Sequence, residues 1–486
     1  MRTAFSPNIK ERQDFSCAVF DAEGLLCAQA AHIPVHLGSM AYAMNKIVND
    51  ITWRQEDMII LNDPYKGGTH LPDITLVAPV FINQELCAFV ANRAHHADIG
   101  AVTPGSMPIA DTLDEEGLII SPTKIVENAR VCEESLNHIL QHLHNRETAR
   151  ADFSAQMSAN FSGIKRLTSL IMRMGQENFK AYLTRLNDYA ADLSATALAM
   201  IPDGCYQFSD YMDDDGQGTS DIKIEVTIKK SREDFTVDFE GTSMQVAGNI
   251  NCPLSVTAAA VYYCFYCLMP EQTPPTAGSF SRIKIHAPEG CLLNARYPAA
   301  VAAGNVETST RIVDVVLGAL AKALPDNIPA ASHGSMNNIA MGNKDWDYYE
   351  TLGGGMGAGF FNQGLDAIQT HMTNTLNTPI EVLENNYPLR IRKYAVRHHS
   401  GGIGQHAGGN GLTREYEFLD ETTVTLLTER RNHAPWGLNG GENGNPGINM
   451  INGDEIPGKI SFLARPGDIL TIKTAGGGGW GRKQQC

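Results

Sequence analysis

Apolar and polar positions fall into four stretches of different rhythm along this 486-residue chain. In the first, residues 17–20 form an apolar run closed by Asp21-Ala-Glu-Gly24, and residues 25–28 are apolar again. That pattern predicts a β-hairpin. Residues 40–51 carry a helical pattern. Residues 58–61, 74–81 and 86–91 are continuous apolar runs bounded by Asn, Asp, Pro and Gly, as buried strands are. In the second stretch, Leu136, Ile139, Leu140 and Leu143, then Ile164, Leu167, Ile171 and Met174, recur at spacings of three and four. No proline interrupts residues 135–200, so two or three helices are predicted there. Alternation returns in residues 222–228 and 235–239 as antiparallel strands, and residues 258–268 and 309–323 read as buried helices. From residue 387 onward, strands at 416–419, 422–428, 460–462 and 469–472 alternate with glycine turns.

The fold class that follows is α+β or mixed α/β. The expected architecture is large and multi-layer, with a central helical segment and a β-rich C-terminal part. The expected divisions are an α/β region at 1–130, helices at 131–202, a mixed α/β region at 203–386 and a β-rich region at 387–486. No internal repeat is evident. A hydrophobic content of 43% is ample for a large core, and 45 glycines with only 19% charged residues fit a well-packed, loop-rich enzyme rather than a disordered chain.

Charge narrows the function classes. The formal net charge is −16, and no basic run is longer than pairs such as Lys229-Lys230 and Arg430-Arg431. A nucleic-acid surface needs clustered Lys and Arg, so none is expected. No run of 18 apolar residues occurs and no apolar leader opens the chain, so neither a membrane span nor export is expected, and the cytoplasm is the expected compartment. The 10 cysteines are scattered. The one close pair, Cys264-Phe-Tyr-Cys267, lies in an apolar helical stretch and reads as core rather than as a metal or redox site.

Candidate chemistry concentrates in the first hundred residues, in Asn62-Asp-Pro-Tyr-Lys-Gly-Gly-Thr-His70-Leu-Pro-Asp73 and Asn92-Arg-Ala-His95-His96-Ala-Asp98-Ile-Gly100. His70 and Asp73 flank a proline just before one predicted strand, and His95 ends the next. Two neighbouring strands can therefore bring all three side chains to one point. One carboxylate and two imidazoles make a mixed N/O donor set, suited to Mn, Fe or Zn, with positions left for water or substrate. Buried, hydrogen-bonded histidines in tight turns are the structural alternative. His32-Ile-Pro-Val-His36-Leu-Gly-Ser-Met40 is a second polar island, and His36 either lines the same pocket or caps a helix. None of the glycine clusters has the strand–loop–helix setting of a phosphate loop. Gly453-Asp-Glu-Ile-Pro-Gly458-Lys459-Ile460 lacks the final hydroxyl and reads as a hairpin. The chain therefore offers no nucleotide site of its own.

These blocks, together with Ser6-Pro-Asn-Ile-Lys-Glu-Arg-Gln-Asp14-Phe-Ser-Cys-Ala-Val-Phe-Asp21, resemble the signatures of the hydantoinase B/oxoprolinase family. The resemblance continues through Gly304-Asn-Val-Glu-Thr-Ser309, His371-Met-Thr-Asn-Thr-Leu-Asn-Thr-Pro-Ile-Glu381, Ser400-Gly-Gly-Ile-Gly404 and Gly408-Gly-Asn-Gly-Leu-Thr-Arg-Glu415. It implies an ATP-dependent hydrolase that opens a cyclic amide or imide, such as a hydantoin, N-methylhydantoin or 5-oxoproline-like ring. Such a chain works in a hetero-oligomer with a hydantoinase A-type subunit that binds and uses the ATP. The resemblance also implies one divalent transition metal (Mn, Zn or Fe) held by His70, Asp73 and His95, with Asp14 as a further ligand. His36 or His96 is then the expected proton shuttle, and Asp98 the carboxylate that orients a metal-bound histidine. Two other readings remain open. One is the α subunit of an ATP-dependent ketone carboxylase of the acetone or acetophenone type, whose subunits are longer than this chain. The other is a non-catalytic scaffold. Family members usually carry a helical lead before the Arg2-Thr-Ala-Phe-Ser6 block, so a mis-assigned or truncated start is also expected.

Overall fold

The computed structural model describes residues 3–31, 33–232 and 234–483. Met1, Arg2 and the His32 of the second polar island lie outside the described residues. The chain is a mixed α/β protein built on four sheets.

The first sheet carries the histidine-rich motifs. Its strands are β1 (Phe15–Asp21), β2 (Leu26–Ala31), β3 (Met58–Leu61), β4 (Asp73–Ile82), β5 (Glu85–His95), β6 (Thr123–Glu127) and β7 (Arg130–Val131). They are ordered β2-β1-β5-β4-β3-β6-β7 and pair antiparallel throughout. β1 and β2 form the predicted hairpin. β4 is buried along nearly its whole length because both faces of the sheet are covered. Leu76, Ala78 and Val80 pack with Phe153, Met157, Leu167 and Ile171 of the Arg146–Met174 helix. Val77 points the other way, onto Met40, Met44 and Ile47 of the His36–Ile47 helix. This double cover explains the unbroken apolar runs, since side chains of both parities are withdrawn from water.

The His36–Ile47 helix begins four residues before the start its apolar period predicts. Its first turn carries polar side chains with buried partners, His36 on Asp73 and Ser39 on the Val35 carbonyl, so the apolar pattern understates its length. The predicted helical segment resolves into three helices, Glu133–Leu140, Arg146–Met174 and Gln176–Ala199.

A second layer holds β8 (Gly204–Asp214), β9 (Ser220–Ser231), β10 (Asp234–Asp238) and β11 (Ile283–His286), in the order β11-β10-β9-β8. Its apolar face, with Ile224, Val226 and Ile228, packs into one core with the Leu254–Tyr266 and Ser309–Ala323 helices. Cys264 is buried in that core while Cys267, at the helix end, is exposed, and all nine described cysteines are free thiols.

The remaining two sheets face one another. One comprises β12 (Asn338–Asn343), β13 (Trp346–Glu350), β16 (Thr422–Leu427) and β19 (Lys459–Ala464), and the other β14 (Leu389–Arg397), β15 (Gly411–Phe418), β17 (Ile448–Ile451), β18 (Asp454–Ile456) and β20 (Ile469–Lys473). Ile339, Met341, Val424 and Leu426 interleave with Leu412, Tyr416, Leu470 and Ile472 between them. The near-match to a phosphate loop is hairpin here. Asn452 (φ 51°) and Gly453 (φ 94°) turn β17 into β18, and Lys459 enters β19 with its side chain buried against Glu429.

Glycine clusters in this half bring main chains into direct contact. Gly409 donates to the Met356 carbonyl at 2.8 Å, Gly477 to Gly409 at 2.9 Å, and Gly402 to Gly477 at 2.8 Å. A Cβ at Gly409 would lie 1.9 Å from the Leu365 carbonyl oxygen, so no larger residue fits. The glycines are there for backbone packing, consistent with the absence of a phosphate-loop setting.

Candidate metal centre

The register of β4 against β5 places Asp73 directly opposite His95. Directly opposed residues in an antiparallel pair project from the same face, so the two side chains converge. His70 sits in the turn before β4, where its carbonyl accepts from the Asp73 N–H at 3.1 Å, and this turn brings its ring back over the strand end. His70, Asp73 and His95 are all buried and offer ligand atoms within 4.8 Å of one another.

The hydrogen bonds around the cluster fix its donors. His70 Nδ1 lies 3.2 Å from the Ala302 carbonyl oxygen, which can only accept, so Nδ1 carries a proton. His70 Nε2 then faces Asp73 Oδ1 at 3.1 Å and has no hydrogen-bond partner among the described residues. In a neutral imidazole this is a bare lone pair held against a carboxylate oxygen. Only a cation between them, or a second proton on the ring, relieves that repulsion. His95 Nδ1 also approaches Asp73 Oδ1, at 3.3 Å, while its Nε2 is buried without a partner. Asp73 Oδ2, by contrast, is well supplied, by Thr69 Oγ1 at 2.7 Å, His36 Nε2 at 3.2 Å and Asn305 Nδ2 at 3.4 Å. One carboxylate oxygen is thus held in place and the other is presented with two imidazoles. Two buried imidazoles converging on one carboxylate oxygen, one of them through an unpartnered nitrogen, fit a divalent transition ion, by the chemistry of the donor set.

The electrostatics agree. Burial alone would raise the Asp73 carboxyl, but the imidazoles of His70 and His36 outweigh it and hold Asp73 well below the usual carboxylate range. Burial pushes His95 down, which favours the neutral ring that ligation requires.

The other sequence-expected residues fall in two groups. His36 belongs to the centre, with Nε2 on Asp73 and Nδ1 3.0 Å from Ser16 Oγ. Asp14, whose carbonyl accepts from the His95 N–H, lines the same small cavity of about 20 Å³, although its carboxylate is 3.8 Å from Arg12 and outside the three-residue cluster. His96 and Asp98 do not join it. His96 bonds Gln156 Oε1 at 3.0 Å and stacks on Phe153, while Asp98 accepts from the Asn145 and Gly100 N–H groups. Both line a different, larger cavity of about 340 Å³. The group that meets His70 Nδ1 is the Ala302 carbonyl.

Several partners have little or no signal in the local sequence. Asn305 reaches Asp73 from a π-helical turn, Gly304–Thr308, in the Gly304-Asn-Val-Glu-Thr-Ser309 block. That block is visible as a motif, but its contact is not. Glu116 accepts from the Val301 and Ala302 N–H groups at 2.8 and 2.7 Å and so holds the carbonyl that orients His70. Burial raises the Glu116 carboxyl to about 8. Tyr349 stacks on His95 at 4.6 Å, with the Arg12 guanidinium over its far side at 5.0 Å.

Similarity to known proteins extends over the whole chain. The sequence profile described as Hydantoinase B/oxoprolinase matches residues 1–483. An uncharacterized protein of Methanocaldococcus jannaschii is 40% identical over 99% of this chain and 86% of its own length. A 5-oxoprolinase of Dictyostelium discoideum is 38% identical over 99% of this chain, which spans 39% of that longer protein. A protein of a Pseudomonas species, named as one subunit of a D-/L-hydantoinase, is 31% identical over 99% of this chain and 86% of its own length. Among solved structures, the ATP-dependent caprolactamase of Pseudomonas jessenii superposes with a TM-score of 0.90 at 27% identity, over 97% of this chain and 85% of that one. A nucleotide-free acetone carboxylase shares the fold, with a TM-score of 0.87 at 17% identity over 99% of this chain and 73% of that one.

Proposed function

The chain belongs to the hydantoinase B/oxoprolinase family, and on that premise we propose that it is the metal-dependent ring-opening subunit of an ATP-dependent cyclic-amide hydrolase. The observation that carries the reading is His70 Nε2, buried without a hydrogen-bond partner among the described residues 3.1 Å from Asp73 Oδ1, with His95 Nδ1 3.3 Å from the same oxygen. The activities for which the similar proteins are named, 5-oxoprolinase and ATP-dependent caprolactamase, both concern cyclic amides and support the substrate class. The Pseudomonas relative, named as one subunit of a hydantoinase, supports a partner, which we take to be a hydantoinase A-type ATPase.

A cyclic amide resists hydrolysis because nitrogen donates into its carbonyl. Phosphoryl transfer from ATP to the amide oxygen, on the partner, removes that donation and makes the oxygen a leaving group. Water then adds to the activated carbon and the C–N bond breaks, the nitrogen taking a proton, which leaves an acyl phosphate that a second water cleaves to carboxylate and phosphate. His70, Asp73 and His95 would hold a divalent ion, which when bound would supply Lewis acidity toward water and the substrate oxygen.

The chain's own residues set the geometry for that chemistry. Ala302 and Glu116 lock the His70 ring, Tyr349 backs His95, and Thr69 and Asn305 pin Asp73. His36 is the proton carrier at the centre, since it alone of the two candidate shuttles touches Asp73, with Ser16 on its second nitrogen. The cavity of about 20 Å³ accommodates an ion or a water, so admitting a ring requires its wall to move.

The test is metal content by mass spectrometry on wild type and His70→Ala, followed by ring opening with ATP and the A-type partner. Metal bound to wild type, lost in the variant together with turnover, is the expected result. A folded wild type without metal, or full turnover by His70→Ala, overturns the reading. Bicarbonate-dependent consumption of a ketone would move the assignment to the carboxylase branch.

A further inference from the structure

The cavity that receives His96 and Asp98 has a donor set of its own. Asp98 follows β5, His144 lies in the loop before the Arg146–Met174 helix, and Asp347 is in β13. His144 Nδ1 lies 3.6 Å from Asp98 Oδ1 and 3.7 Å from Asp347 Oδ2, and the three ligand atoms lie within 4.8 Å of one another. Bonds of the length a divalent ion makes to N and O set neighbouring donors roughly 3–4 Å apart. The two shorter separations match that spacing, and they are too long for direct hydrogen bonds.

We propose that Asp98, His144 and Asp347 form a second divalent-cation site, separate from the His70 centre.

Asp347 supplies the independent observation. Its side chain is 6% exposed, its Oδ1 accepts from the Gly105 N–H at 2.9 Å, and its Oδ2 is buried with no hydrogen-bond partner among the described residues. That unpartnered oxygen is the one turned toward His144. A buried carboxylate oxygen without a donor is costly unless a cation or a proton meets it. Among the described residues no Lys or Arg lines the cavity, and Asp152 adds a third carboxylate to its wall. Burial, then the charge of Asp98, raises Asp347 to about 6, against the lowering effect of His144, as expected for two carboxylates sharing a site. The other two donors are placed for the same role. Asp98 is held by the Asn145 and Gly100 N–H groups, and His144 is half exposed, which gives an ion a path from solvent. Two carboxylate oxygens and one imidazole select an ion of the Mn or Zn class, with remaining positions open to the cavity of about 340 Å³.

The two centres lie on opposite sides of the same strands. His95 and Tyr349 face the small cavity at Asp73, whereas their neighbours His96 and Tyr348 face this one. Metal in one therefore does not require metal in the other.

The experiment strips the full chain with a chelator, loads it with Mn²⁺ or Zn²⁺, desalts it and counts metal per chain. Wild type is compared with His144→Ala, Asp347→Asn and His70→Ala. Each of the first two should hold one equivalent fewer than wild type, and His70→Ala should retain the equivalent that depends on His144. His144 is half exposed, so its replacement leaves the core intact and keeps the comparison valid if Asp347→Asn fails to fold. Equal metal in His144→Ala and wild type overturns the proposal. So does complete loss of metal in His70→Ala.

Discussion

His70 Nδ1 lies 3.2 Å from the carbonyl oxygen of Ala302, a residue 232 positions further along the chain. That single contact decides which ring nitrogen is free, and the Ala302 peptide is in turn held by Glu116. Partners that orient a ligating imidazole typically matter about 10–100-fold in metal affinity. Glu116→Ala, which removes both backbone acceptor bonds, should weaken metal binding by about that factor. Glu116→Gln keeps an acceptor oxygen for Val301 and Ala302 and should stay near wild type. Competition titration against a chromophoric chelator checks both, and equal affinity in Glu116→Ala would mean the Ala302 carbonyl is positioned without it.

Two buried carboxyls predict how stability follows pH. Burial raises Glu307 from an ordinary 4.5 to about 8, with the Glu429 carboxylate adding to it, and burial raises Glu116 likewise to about 8. Between these limits the folded chain keeps both protonated while the unfolded chain releases the protons. The folded state binds more protons, so this contribution to stability is full below about 4.5 and is lost as pH rises to about 8. Glu307→Gln retains an oxygen for the Met336 N–H and the Asn338 side chain while removing the titration. Urea midpoints measured across that window should fall less steeply in the variant, and an unchanged slope would show that Glu307 is ionised in the folded chain.

Arg430 is the centre of a buried ion network. Its guanidinium is fully withdrawn from water and meets Asp314 and Asp210, while Arg311 pairs with Asp210 and Glu429, and Lys459 with Glu429. Removing one member leaves buried charges unpaired. Arg430→Ala should therefore cost about 3–5 kcal/mol in denaturant unfolding. The exposed Arg390–Glu417 pair should show almost no effect in the same assay.

Glycines divide by what surrounds them. A Cβ at Gly409 meets the Leu365 carbonyl oxygen at 1.9 Å and one at Gly477 meets the Met356 carbonyl oxygen at 2.1 Å, so alanine at either should abolish soluble folded protein. Gly453 has open space around it but a φ of 94°. Alanine there should fold and lose only about 1–2 kcal/mol, the cost of a left-handed backbone. Soluble yield and melting temperature separate the two classes.

Much of the fold was legible because element type follows local period. The Ser309–Ala323 helix, the β1–β2 hairpin and strands β3, β4 and β5 of the first sheet lie where the apolar rhythm puts them, while β6 and β7 carry no such signal. Boundaries slipped where polar side chains turn inward, as at His36 and Ser39, since a hydrophobic pattern cannot register a buried polar residue. The core of the candidate centre was legible for a similar reason. His70, Asp73 and His95 bracket two consecutive strands joined by a short turn, and the ends of such a hairpin meet again by geometry.

The rest was decided by tertiary structure. His95 and His96 are adjacent in sequence and serve different cavities, as do Tyr348 and Tyr349, because successive side chains along an extended chain point to opposite faces. Sequence adjacency therefore does not tell that His96 and Asp98 line the other cavity. The residues that complete the candidate centre, Glu116, Ala302, Asn305 and Tyr349, come from elements brought together only when the layers pack. The sequence by itself determined the elements, the family and the three converging side chains, all of which depend on short-range period and motif. Which imidazole nitrogens are free, which carboxylates lack partners, and which face each histidine serves depend on long-range contacts, and those exist only in the folded chain.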